Sequence, residues 1–131
     1  MFEVQIDGRF RAAHQLRLAD GGVEPLHEHD WPVTVVVSGP RTGAAGCLVD
    51  FHRLADDLAA VLAPLDGGDL NEHAELGPAN PSAEHVARYV AEQLARRLGD
   101  ADGVRVARVT VGEAPGCRAS YVPDGPGGGA C

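Results

Sequence analysis

Apolar and polar residues alternate along two long stretches near the start of the chain. Phe2, Val4 and Ile6 recur at every second position, Asp7-Gly8 breaks the pattern, and it resumes from Phe10 to Leu16. This period of two predicts a strand over residues 2–16. A second strand is predicted over 29–38, with Trp31, Val33, Val35 and Val37 on one face. Pro32 removes a ladder donor inside it, which argues for an edge or a bulge. Residues 19–26 carry the Gly, Asp and Pro of a loop.

The period then changes. Phe51, Leu54, Leu58, Val61, Leu62 and Leu65 recur at helical spacing behind Asp50, a suitable N-cap, and predict a helix over 51–63. Residues 66–81 have no clear period and read as loop. Ser82 caps a second predicted helix, whose stripe is Val86, Val90, Leu94 and Leu98 and which stops at Gly99. Residues 104–112 predict a third strand and 117–122 a short fourth. The Gly-rich residues 124–131 lack means to pack and are expected to be disordered. The expectation is thus an α+β fold in one domain, 1–123, with element order β-β-α-α-β-β. The four-stranded antiparallel sheet would carry both helices on one face and leave two edges open to other subunits.

Composition narrows the function. The chain has 131 residues, 44% of them hydrophobic, and a net charge of −8. All 11 cations are Arg. An acidic chain is a poor general nucleic-acid binder. No run approaches the ~20 apolar residues of a membrane span, and the N-terminus does not have the layout of a signal peptide. A cytoplasmic location is the default expectation. Cys47, Cys117 and Cys131 show no metal or disulfide spacing and read as free thiols.

The sharpest chemical signal is His27-Glu28-His29. On a strand, His27 and His29 project from the same face. A hairpin with the first strand would bring His14 opposite them. Three imidazoles with an open fourth position are the pattern of a catalytic zinc site. On spacing alone, three surface histidines remain the alternative. His52, His73 and His85 have no such geometry and read as solvated.

Six short segments, in order, carry a family resemblance. They are Phe10-Arg11-Ala12-Ala13-His14, His27-Glu28-His29, Gly46-Cys47-Leu48-Val49-Asp50-Phe51, Leu65-Asp66 with Leu70-Asn71, Pro81-Ser82-Ala83-Glu84 and Val111-Gly112-Glu113. Together they resemble the 6-pyruvoyltetrahydropterin synthase and 6-carboxytetrahydropterin synthase family. The resemblance implies the tunnelling fold, in which subunits join edge to edge into a barrel, and a homohexamer or other trimer-based homo-oligomer. It implies Zn²⁺ on His14, His27 and His29. It implies a pterin substrate, 7,8-dihydroneopterin triphosphate or a relative, anchored by Glu113 with further contacts from Ser82 and Ala83. Ser82 reads equally as a plain helix cap.

The sequence also departs from that pattern. Val23 stands where the carboxytetrahydropterin type has its catalytic Cys. Gly67 follows Asp66 where the family has His, and Glu28 replaces a Gly between the zinc histidines. Glu24, three residues before His27, resembles a branch with Glu-x-x-His-Gly-His, which is associated with side-chain cleavage to 6-hydroxymethyl-7,8-dihydropterin. The resemblance thus implies a zinc-dependent pterin lyase with Glu24 as base, assisted by Asp66. The alternative is a repurposed or non-catalytic zinc- and pterin-binding member, in which Glu24 is a solvated loop carboxylate. Glu28, on the opposite strand face from the histidines, is expected to be exposed. Arg11 is a candidate for the phosphate end, with a plain surface role equally open.

Overall fold

The computed structural model describes residues 1–99 and 101–123; the expected tail, 124–131, and Cys131 lie outside them. Four strands form one antiparallel sheet in the order β1 (Phe2–His14), β2 (His27–Gly39), β3 (Arg105–Ala114), β4 (Cys117–Tyr121). Between β2 and β3 come α1 (Phe51–Leu62), a short α2 (Leu76–Ala79) and α3 (Ala83–Leu98). A 3-10 turn, Leu70–Glu72, precedes α2, so the stretch expected as loop holds two short helical pieces. His73 helps start α2, because its Nδ1 accepts from the N–H groups of Glu75 and Leu76.

The helix caps follow the local chemistry. The Asp50 carboxylate accepts from the His52 N–H, and Ser82 Oγ from the His85 N–H. Gly99, with φ 70°, ends α3. Four of the apolar residues of α1 (Leu54, Leu58, Val61 and Leu62) are buried, but Phe51 is exposed.

β1 and β2 pair without interruption from Phe2↔Gly39 to His14↔His27. Phe10, Ala12 and His14 therefore share one face with His27, His29, Trp31, Val33, Val35 and Val37. That face packs against α1 and α3 to make the core. Phe10 and Trp31 stack in register, with centroids 5.6 Å apart. Gly8 lies under α1, where an added Cβ would sit 2.9 Å from Leu58 Cδ2.

β2 is an inner strand, yet Pro32 fits it. Pairing with β3 stops at Val33↔Val111, so the missing N–H falls just past the shared ladder. There Pro32 leans on Gly112, where a Cβ would lie 2.6 Å from Pro32 Cγ. In β3 a register shift opposite Val36/Val37 reverses the alternation, which is why Val106 and Val109 are both buried. A second shift falls between Gly112 and Ala114 and leaves Glu113 without a partner on β4. No helix is long and apolar enough to cross a membrane among the described residues.

Candidate metal centre and adjoining groove

The three histidines sit where the core face of the β1–β2 hairpin runs out from under the helices. His14 is fully buried, His29 partly buried and His27 exposed. Trp31 forms the floor, with its ring 4.6 Å from that of His14 and 4.3 Å from that of His29. Its Nε1–H donates to the Ala12 carbonyl, so the indole brings no unpaired polar group into the core.

Backbone carbonyls fix the protonation pattern of all three rings. His14 Nδ1 lies 2.7 Å from the Pro81 carbonyl, His27 Nδ1 3.1 Å from that of Pro25, and His29 Nδ1 2.8 Å from that of Asp30. A carbonyl only accepts, so in the neutral rings each Nδ1 carries the proton and each Nε2 offers its lone pair. The Nε2 atoms converge: His14 Nε2 is 3.0 Å from His27 Nε2 and 3.3 Å from His29 Nε2. Glu113 Oε1 joins them, 3.2 Å from His14 Nε2, 3.8 Å from that of His29 and 3.9 Å from that of His27. In that form four acceptors face one another, an arrangement that a cation between them relieves. Ring N–H groups held by carbonyls are the usual outer support of metal-bound histidines. The four residues therefore fit a metal ion, and the nitrogen-rich donor set suits zinc.

The remaining predicted site residues fall around this cluster at different distances. Glu24 is adjacent, with Oε1 3.9 Å from His27 Nδ1. Its backbone N–H donates to the Leu16 carbonyl, and its Oε1 accepts from the Leu16 N–H at 3.0 Å. It is thus held by the loop and partly buried. Ser82 and the buried Ala83 begin α3, next to the Pro81 carbonyl that holds His14.

Asp66 is not brought into the cluster. It is exposed at the free edge of β1, where its Oδ1 accepts from the Arg11 N–H at 2.9 Å. There it lines a groove of about 350 Å³ between β1 and α1. Glu28 lies on the opposite face of the sheet, as its odd-even position requires. It pairs with Arg11 at 2.6 Å, and Asp30 meets the same guanidinium at 3.3 Å. Glu28 first, then Asp30, raise the Arg11 pKa above its ordinary value. Arg11 is thus already engaged by two carboxylates, away from the histidines. Cys47 and Cys117 are exposed free thiols.

Sequence reasoning missed three supports. Asn71 and Asn80 brace residues 15 and 17, and Pro81 supplies the carbonyl behind His14. The Leu70-Asn71 and Pro81-Ser82 segments were visible, but not the bonds they make. It also missed a groove of about 510 Å³ whose lining includes His29 and Glu113. Asp30, Pro32, Thr34, Thr110, Gly112 and Arg118 line it as well; by strand parity Asp30, Pro32 and Thr34 stand on the outer sheet face, so the groove meets the cluster through His29 and Glu113.

The family model described as 6-pyruvoyl tetrahydropterin synthase matches residues 3–124. Among solved structures, the chain is similar to 6-pyruvoyl tetrahydropterin synthase of Caenorhabditis elegans, with TM-score 0.78, 20% identity, and 93% of this chain and 95% of that one covered. It is also similar to 6-pyruvoyltetrahydropterin synthase of Plasmodium vivax, in a variant with a catalytic glutamate replaced by alanine. There the TM-score is 0.75 at 19% identity, with 92% and 96% covered. An uncharacterized protein of Wolinella succinogenes gives TM-score 0.70 at 18% identity, with 92% and 97% covered. At these identities the likeness establishes the fold. No curated protein matches the chain by sequence.

Proposed function

The chain belongs to the 6-pyruvoyl tetrahydropterin synthase family, and from that premise we propose that it is a zinc-dependent lyase that cleaves the side chain of a dihydropterin. The substrate is 7,8-dihydroneopterin triphosphate or a close relative. The observation that carries this reading is the convergence of the three Nε2 atoms beside Glu113, which together with His29 lines a groove of about 510 Å³.

His14, His27 and His29 would hold the zinc. When bound, it would act as a Lewis acid toward the oxygens of the substrate side chain. Glu113 accepts hydrogen bonds from the pterin's amino group and adjacent ring N–H, a bidentate fit for a carboxylate. Glu24 takes the proton from the hydroxyl on the second side-chain carbon, the bond between the first and second side-chain carbons breaks, and the outer fragment leaves as an aldehyde. The electron pair is delocalised into the ring and is then protonated. Glu24 is favoured for this task by its contact with a metal-site histidine. Its anchorage to Leu16 holds it there. The description of a catalytic glutamate in the Plasmodium vivax relative points the same way.

Arg118 suits the phosphate end better than Arg11, because it lines the groove while Arg11 is engaged by Glu28 and Asp30. Ser82 and Ala83 are read as further ring contacts at the start of α3. Asp66, exposed on the β1 edge, would assist only at the site of a neighbouring copy. The loop 66–69 caps that edge at Arg11 and Ala13, through Gly67 N–H to the Arg11 carbonyl and Ala13 N–H to that of Gly68. Assembly along the strand edges into a trimer-based homo-oligomer would set sites at subunit boundaries.

Incubation of the zinc-loaded protein with 7,8-dihydroneopterin triphosphate, with products separated by chromatography, tests the reading. A shortened pterin is the expected product. An intact substrate, together with normal pterin binding, would favour a family member that retains the site without turnover.

A further inference from the structure

A zinc ion held by three histidines ordinarily leaves its fourth position to water or substrate. Here a carboxylate oxygen of the protein itself lies against all three imidazole Nε2 atoms. For donors at about 2.0–2.1 Å from a tetrahedral ion, the donors themselves lie about 3.3–3.4 Å apart. The measured separations bracket this value: 3.0 and 3.3 Å between imidazoles, and 3.2, 3.8 and 3.9 Å from Glu113 Oε1 to the same three nitrogens. The backbone allows the approach. Glu113 is the unpaired residue of the bulge between Gly112 and Ala114, so no cross-strand neighbour fixes it.

We infer that Glu113 is a fourth, displaceable metal ligand, which closes the site in the free protein and leaves the ion when a pterin enters the groove. The first half rests on the geometry alone; the exchange rests on the pterin reading above. The same carboxylate oxygens cannot fully serve the ion and a pterin's paired N–H groups at once. A pterin in the groove that His29 and Glu113 help to line offers the carboxylate two hydrogen bonds. One metal position is then freed beside the bound ligand. The site would thus stay shut to small anions until its ligand is present.

The test uses the full chain, loaded with zinc or cobalt(II), as parent, Glu113→Gln and Glu113→Asp. Zinc affinity is measured by competition with a chromophoric chelator. Losing even an outer support of a metal ligand typically costs ~10–100-fold in affinity, so Glu113→Gln should weaken zinc at least about tenfold. Thiocyanate then probes for an open position through the visible spectrum of cobalt(II). It should perturb Glu113→Gln and the shorter-reaching Glu113→Asp, and leave the parent unchanged. Unsubstituted pterin, added to the parent, should make the parent responsive.

Equal zinc affinity in parent and Glu113→Gln would overturn the assignment. So would a parent that responds to thiocyanate as readily as the variants, or a Glu113→Asp that behaves as the parent does, since charge alone would then explain any affinity change. A parent closed to thiocyanate that binds no pterin would leave Glu113 as a ligand and remove the proposed function instead.

Discussion

Asn71 grips Gln15 by both ends of its amide: Oδ1 accepts from the Gln15 N–H at 2.8 Å, and Nδ2 donates to the Gln15 carbonyl at 2.8 Å. This is strand pairing with a side chain in place of a strand. Asn80 repeats it on Arg17, at 2.9 and 3.0 Å. Together the two amides carry the order of β1 past His14 into the loop that bears Glu24. Asn71→Ala should remove both bonds at Gln15. At about 0.5–1.5 kcal/mol for a typical net hydrogen bond, the loss is about 1–3 kcal/mol, read from urea unfolding. Asn71→Asp keeps the acceptor and loses the donor, and should fall between the two.

Zinc should bind at one ion per chain, with affinity lost in His14→Ala and His27→Ala and kept in Glu28→Gln. Elemental analysis of protein purified without chelator checks this. Removing the metal should lower thermal stability, because an ion that binds only the folded state stabilises it by mass action. That is about 2.7 kcal/mol when free zinc is a hundred times its dissociation constant. A melting temperature indifferent to zinc would rule the site out.

Turnover should fall about 10²–10⁴-fold in Glu24→Gln, the usual contribution of a general base. The amide oxygen can still accept from the Leu16 N–H, so zinc content and unfolding midpoint should hold. Glu28→Gln, on the far face with Arg11, should change turnover little. Equal product formation by parent and Glu24→Gln would make Glu24 a bystander.

Arg118→Ala should raise KM for a triphosphate substrate and leave it nearly unchanged for the same pterin without phosphates. The comparison isolates the charge contact from ring recognition. Arg11→Ala should show no such split, and the opposite ranking of the two arginines would reassign the phosphate end.

Light scattering at micromolar concentration should give a mass that is a multiple of three chains. The edges available for that assembly are β1 before Arg11 and β4. A stable monomer would leave Asp66 with no site to assist.

Much of the architecture was legible in the chain because it depends on local periodicity. Alternation marked β1 and β2, the spacing of Leu54, Leu58 and Val61 marked α1, and Asp50 and Ser82 marked where helices start. The histidines were legible for the same reason: the parity of positions 14, 27 and 29 in a hairpin puts them on one face. Tertiary structure alone decided the rest, because it depends on contacts distant in sequence. The Pro81 carbonyl fixes the His14 tautomer from 67 residues away. The bulge at Glu113 exists only against β4. Asp66 and Arg11, both plausible near the site by position, were drawn off by partners across the β1 edge and on the outer sheet face. Periodicity states which face a side chain takes, whereas its hydrogen-bond partner is set by whichever distant backbone the fold delivers there.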